Sequence, residues 1–314
     1  MKKIIIIATG GTIAMSENSE TKEVKLMHQY SLDNLGSFID KTSIIEVDNF
    51  INIPSPYITQ DIMYDLTIRI KNYLANDEIK GVIVTHGTDT LEETAFFVDL
   101  TIQNDKPIIF TGSMRSSNEL GADGPLNVVN SIRVINDETS REKGVLVVFN
   151  DEIHAARYVT KTHTSNVATF QSPQTGPIGV ITKKGVYFSH APLSKENYAL
   201  KRPFKKVGLL KAAIGTDDLL INTYIDNKYD GIVIEALGSG NLPPTMIGGI
   251  IRAIENNIEI VLVSRCYNGQ VDPIYGYEGG GKHLKDLGVT FISGLNGQKA
   301  HIKIMVQLTQ KTAT

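Results

Sequence analysis

The run Ile4-Ile5-Ile6-Ile7 stops abruptly at Thr9-Gly10-Gly11-Thr12. Successive β-branched residues are stiff and favour extended backbone. A run without apolar–polar alternation is buried on both faces, as in a parallel strand covered by helices on either side. Gly81-Val82-Ile83-Val84-Thr85 repeats the pattern and stops at His86-Gly87-Thr88-Asp89-Thr90. Further strand-like runs lie at 43–50, 107–111 and 145–149, with helical apolar periodicity at 32–39, 59–74, 91–102 and 126–135. This alternation predicts βαβ units and a parallel sheet with right-handed crossovers.

The pattern lapses into a polar stretch near 189–206 and then resumes, with strand-like runs at 207–214, 231–235, 259–264 and 289–293 and a helical one at 244–256. The expected class is therefore α/β with two domains. The larger, at 1–188, carries both threonine strings on a parallel-type sheet flanked by helices; a linker at 189–206 leads to a smaller α/β domain at 207–314. A chain of 314 residues is long enough for both.

Composition narrows the function classes. With 41% hydrophobic and 21% charged residues the chain reads as an ordinary soluble protein. A net charge of -3 gives no electrostatic case for nucleic acid, and the most basic stretch, 201–206, reads as a solvated linker. No apolar run approaches the roughly 18 residues that a membrane span needs. The single cysteine, Cys266, excludes an intrachain disulfide and suits a reducing compartment. Met1-Lys2-Lys3 before the isoleucines is too short in its apolar part for a secretion signal, so a cytoplasmic location is expected. The histidines are scattered without metal-ligand spacing, so no metal is expected.

Two strand ends rich in glycine and hydroxyls suit nucleophilic chemistry. A hydroxyl nucleophile needs a partner for its proton and backbone N–H groups for an oxyanion. Gly10-Gly11 allows close backbone approach beside Thr12, although a simple glycine turn fits the same residues. Asp89, with Glu92 and Glu93 just beyond, reads either as a helix cap or as a ligand for an ammonium group. His86 tempts a Thr/His/Asp triad, with a structural role as the alternative. The polar, aperiodic segment 16–29 directly after the first string suits a mobile lid.

Together, Thr9-Gly10-Gly11-Thr12-Ile13-Ala14 and His86-Gly87-Thr88-Asp89-Thr90 resemble the bacterial L-asparaginase family. The resemblance continues through Gly112-Ser113-Met114-Arg115, 122–127, Val159-Thr160-Lys161-Thr162, Gly238-Ser239-Gly240-Asn241 and Ser293-Gly294-Leu295-Asn296, essentially end to end. It implies hydrolysis of L-asparagine to L-aspartate and ammonia without metal or organic cofactor. It further implies Thr12 as nucleophile, with Thr88, Asp89 and Lys161 as a second catalytic group in which the amine polarises the Thr88 hydroxyl. Asp89 would pair with the substrate α-ammonium, and backbone N–H groups at Gly11 or Thr12 and at Thr88 or Asp89 would hold the oxyanion. Ser55 would bind the α-carboxylate, Ser113 would lie by the leaving amide, and Asn241 would reach a neighbouring subunit's site. The implied assembly is a homo-oligomer, most simply a dimer of dimers.

Three departures bear on substrate binding. The family's tyrosine, thirteen residues after the nucleophile, is here Lys25, and Tyr30 is the candidate to replace it. Pro56 follows Ser55 and cannot donate from its nitrogen, so the carboxylate contact must change. Glu278 precedes a glycine run where related enzymes supply a glutamate to the partner's site. The expected activity is asparagine hydrolysis with weak glutaminase activity. The alternatives are a non-catalytic amino-acid sensor on the same scaffold and an ammonia-releasing amidotransferase subunit. The retained threonines and lysine disfavour the first, and the lack of room before Thr9 for an added N-terminal domain disfavours the second.

Overall fold

The computed structural model describes residues 2–17, 21, 24–26, 44–192 and 196–311. The chain forms two compact units, residues 1–197 and 198–314. In the first, β1 (Lys3–Ala8) leads into a 3-10 turn, Thr12–Ala14. The ribbon β2 (Met15–Glu17) and β3 (Val24–Leu26) follows, then β4 (Ile44–Asn49). Next come α1 (Gln60–Leu74), β5 (Ile79–Thr85), α2 (Leu91–Thr101), β6 (Ile108–Thr111), α3 (Gly124–Asn136) and β7 (Val145–Phe149). Five short strands close the unit: β8 (Glu152–Ala155), β9 (Thr160–Lys161), β10 (Phe170–Gln171), β11 (Gly179–Thr182) and β12 (Gly185–Phe188). An eight-stranded sheet runs in the order β12-β11-β8-β7-β6-β5-β1-β4.

The strands from β4 to β7 are mutually parallel, as the apolar runs require. The sheet then continues through β8, β11 and β12, which pair antiparallel, so it is mixed. These short strands lack the apolar runs of the parallel part. Both faces of the parallel part are apolar. Ile4 and Ile6 face one core with Ile83, Ile109 and α3, while Ile5 and Ile7 face another with Val84, Phe110, α1 and α2. Alternate residues of one strand thus point to opposite layers. The helix α1 shows the corresponding stripe, burying Met63, Leu66, Ile70 and Leu74, and Thr59 caps it by accepting from the Ile62 N–H at 3.3 Å.

The expectation of uniformly right-handed crossovers fails. From β5 to β6 to β7 the strand order advances in one direction, yet α2 and α3 lie on opposite faces. The two crossovers therefore have opposite hands. Both faces of these strands are apolar and both need a helix, and here that demand overrides the usual preference. The segment after Thr12 also differs from expectation. Its described part is an antiparallel ribbon, with Met15 opposite Leu26 and Ser16 opposite Lys25. The helix expected at 32–39 lies outside the described residues.

The second unit contains β13 (Val207–Lys211), α4 (Leu219–Asp226), β14 (Gly231–Ala236) and α5 (Ile247–Glu255). It continues with β15 (Glu259–Ser264), α6 (Gly281–Asp286), β16 (Thr290–Phe291) and α7 (Gly297–Lys311). Its four strands are parallel in sequential order. Ile221, Ile225, Ile250 and Ala253 pack one face of this sheet. On α7, Ile304 and Leu308 lie so close to Gly231 that a Cβ there would fall 2.9 Å from Leu308 Cδ1.

Glycines let the parallel strand ends of the first unit converge. A Cβ on Gly10 would fall 2.6 Å from the backbone N and O of Ile53. A Cβ on Gly11, already at φ +83°, would strike Gly87 Cα. On Gly87 it would lie 2.7 Å from both Cβ and Oγ of Ser55. Gly87→Ala is expected to cost about 1–3 kcal/mol by overpacking and to displace Ser55. Urea denaturation measures the first effect, and the crystal structure of the variant measures the second.

Candidate active site

The touching glycines bring the two threonine strings together at the carboxyl ends of β1 and β5, where open α/β sheets hold ligands. Thr12 and Thr88 follow Gly11 and Gly87 directly. Thr12 is half-buried and Thr88 is 7% exposed. The 3-10 turn Ser55–Tyr57 rests on Gly87, and Ser55 is 4% exposed. Thr90 donates its hydroxyl to the Ser55 carbonyl at 2.9 Å, which fixes this turn against the start of α2. Pro56 is exposed at the centre of the turn, and the N–H groups of Tyr57 and Ile58 are spent on the carbonyls of Pro54 and Ser55. Against Gly87, the polar side chain this turn offers is the Ser55 hydroxyl.

Lys161 reaches the same place from a different part of the chain. Its Nζ donates to Thr88 Oγ1 at 3.0 Å and to Asp89 Oδ1 at 2.7 Å. Asp89 is therefore not the cap of α2; the cap position is Thr90, whose hydroxyl goes to Ser55 instead. Asp89 remains exposed, open to a further cation from solvent. Arg157, close to Lys161 in sequence, is ion-paired with Glu196 at 3.0 Å. The charged group bonded to the Lys161 amine is the Asp89 carboxylate.

Ser113 closes the site on the β6 side. It is 1% exposed, and its hydroxyl donates to the Arg115 carbonyl at 2.8 Å. Gly124 packs between Ile13, the neighbour of Thr12, and Ser113, whose Cβ would be 3.2 Å from an added Cβ. Asp123 accepts from the N–H groups of Met114 and Arg115, and Asn127 donates to the Gly112 carbonyl at 3.0 Å and to Asp123 at 3.1 Å. These two side chains hold the loop that carries Ser113. The sequence contained them as part of the family resemblance but gave no reason for them.

His86 has a structural place. It is completely buried, its Nδ1–H donates to the Gly87 carbonyl at 2.8 Å, and among the described residues Nε2 has no hydrogen-bond partner. Burial pushes its pKa down to about 4.

The remaining candidates divide between the second unit and the undescribed residues. In the second unit, Asn241 Oδ1 accepts the Gly281 N–H at 3.1 Å, and the Leu242 N–H donates to the Gly279 carbonyl at 2.8 Å. The loop after β14 is thereby clamped to the glycine run that follows Glu278. Gly279 and Gly280 lie against the backbone carbonyls of Leu242 and Tyr275, which explains the run. Glu278 itself is exposed. Tyr30 lies outside the described residues, and of Lys25 only the backbone, in β3, is described. Among the described residues, no group of three His, Cys, Asp or Glu is arranged to hold a metal ion, and no helix is long and apolar enough to cross a membrane.

Comparison with known proteins identifies the family. Residues 3–194 match the family described as "Asparaginase, N-terminal", and residues 206–314 match "Glutaminase/Asparaginase C-terminal domain". The chain is 32% identical over 309 residues to L-asparaginase of Bacillus licheniformis, covering 98% of this chain and 95% of the relative. It is 33% identical over 328 residues to L-asparaginase 2 of Escherichia coli strain K12, covering 99% and 90%. A relative from Haemophilus influenzae that carries "periplasmic" in its name is 33% identical over 332 residues, covering 99% and 89%. Fold, site and relatives together define an α/β enzyme that hydrolyses amides. The chain belongs to the asparaginase family.

The buried histidine has a consequence for pH. Between pH 6.5 and about 4 the unfolded chain binds a proton at His86 that the folded chain refuses. The contribution of His86 to stability is therefore fully present above pH 6.5 and falls by about 3 kcal/mol as the pH drops toward 4. Asn at this position keeps a donor for the Gly87 carbonyl but does not titrate. Urea denaturation across this range is expected to give a shallower acid loss in His86→Asn than in the wild type.

Proposed function

We propose that this protein hydrolyses L-asparagine to L-aspartate and ammonia, with Thr12 as nucleophile. The observation that carries the reading is the Lys161 amine bonded to both the Thr88 hydroxyl and the Asp89 carboxylate, beside the Gly11–Gly87 contact. Relatives named L-asparaginase, matched over nearly their whole length, support it.

In this reading the substrate α-ammonium binds Asp89 and competes with Lys161 for that carboxylate. Lys161 is then left with the Thr88 hydroxyl, and this pair handles the proton released at the site. The Ser55 hydroxyl takes the α-carboxylate, since the N–H groups of Tyr57 and Ile58 are occupied and Pro56 has none. The Thr12 Oγ attacks the side-chain amide carbon, backbone N–H groups of Gly11 or Thr12 and of Thr88 or Asp89 hold the oxyanion, and ammonia leaves near Ser113. Water then releases aspartate from Thr12. Tyr30 takes the role of the family's tyrosine, and Asn241 and Glu278 complete the site of a second copy in a homo-oligomer, a dimer of dimers. The lone Cys266 supports a cytoplasmic location for this chain.

The test is ammonia release from L-asparagine and L-glutamine. Thr12→Ala and Lys161→Met are each expected to lower kcat about 1,000-fold or more while asparagine still binds. Preserved turnover in Thr12→Ala would overturn its role as nucleophile. A wild type that binds asparagine without turnover would favour the amino-acid sensor. Glutamine is one methylene longer than asparagine, so its kcat/KM is expected to be about 10–200-fold lower; equal values would refute the predicted preference.

A further inference from the structure

The strand β9 that carries Lys161 is two residues long, pairs on one side with β10, and presents its other edge to α2. On the β10 side the ribbon is held further by Thr162, whose N–H and hydroxyl both donate to the Thr169 carbonyl at 2.8 and 2.9 Å. On its free edge stands Glu92, in the first turn of α2. Glu92 is 3% exposed. Its Oε1 accepts the Thr160 hydroxyl at 2.9 Å and the Lys161 backbone N–H at 3.1 Å. A side-chain carboxylate thus does for Lys161 what a neighbouring strand would otherwise do.

The same helix start also holds the partner of Lys161. Thr88 and Asp89 lie just before α2, and Thr90 ties that start to Ser55. The contacts close a ring. Glu92 follows Thr88 by four residues of chain, Glu92 holds the Lys161 backbone, and the Lys161 Nζ returns to Thr88 Oγ1 at 3.0 Å. A carboxylate is tolerated at this depth because it accepts two hydrogen bonds and sits in the first helical turn, where the helix dipole favours negative charge.

We infer that Glu92 is a positioning residue for the reaction: it fixes the β9 backbone so that the Lys161 amine meets Thr88 and Asp89. This rests on the reading of Thr88 and Lys161 as the pair that handles the proton. Misplacement of a reacting group by about 1 Å can cost on the order of 100-fold in rate, and the bonds from Glu92 to Thr160 and to the Lys161 backbone are what hold this edge of the strand.

The experiment measures kcat and KM for L-asparagine in wild type, Glu92→Ala, Glu92→Gln and Lys161→Met, and in the double variant of Ala and Met. Glu92→Ala is expected to lower kcat about 100-fold with KM changed less than about threefold. Glu92→Gln keeps an accepting oxygen and should recover most of the loss. In the Lys161→Met background, Glu92→Ala should cost nothing more, because its effect passes through the amine. An equal loss in that background, or a loss below about threefold alone, overturns the inference. Should Glu92→Ala not fold, Thr160→Val removes one of the two bonds and Thr160→Ser restores it. A kcat lowered about tenfold in the first and recovered in the second supports the inference, and equal values overturn it. Should the wild type release no ammonia, the asparaginase reading fails on its own. The crystal structure of Glu92→Ala, or of Thr160→Val if that variant alone folds, then decides: Lys161 Nζ withdrawn from Thr88 Oγ1 supports the strut, and an unchanged contact overturns it.

Discussion

The close approach of Gly11 to Gly87 is the constraint on which the site depends. Two parallel strands can end side by side with their following residues in contact only if neither carries a Cβ there. That contact brings Thr12 and Thr88 to one place, seats Ser55 on Gly87, and leaves His86 buried behind them with its ring donating back to Gly87. The sheet beneath supplies the rigidity. Its central strands β1, β5, β6 and β7 are buried on both faces, so the strand ends cannot shift without disturbing two cores.

The start of α2 distributes this order to the remaining groups. Within a few residues it sends Thr90 to the Ser55 carbonyl, Asp89 to the Lys161 amine, and Glu92 to the backbone that bears that amine. The helix is almost entirely buried, with Phe96 and Phe97 inaccessible, so its first turn is fixed from behind. Beyond β6, Asp123 and Asn127 perform the same service for the Ser113 loop. The polar side chains of the site are thus held by other polar side chains that rest on an apolar frame.

Much of the frame was legible in the sequence because its signals are local. The five parallel strands announce themselves as β-branched runs, and α1 by its apolar stripe. The strands from β8 to β12 were not legible, being two to four residues long without apolar runs. The hand of the crossovers was misjudged because it depends on which face each helix must cover, and no single segment records that. At the site, the threonine strings stood out as strand ends, whereas Lys161 and Ser55 entered only through family resemblance. Glu92 looked like an acid favouring the start of a helix. Its helical position was evident, but its bond to a residue far along the chain was not.

That distance along the chain has a kinetic meaning. The Lys161 amine meets Thr88 across 73 positions, the Lys161 backbone meets Glu92 across 69, and Thr90 meets Ser55 across 35. Contacts so far apart form only after large loops have closed, so they are slow to be established and are not retained by partial structures. Pieces of the first unit, however helical or strand-rich, do not contain the constellation. The geometry of the candidate site therefore requires the whole sheet to be in place.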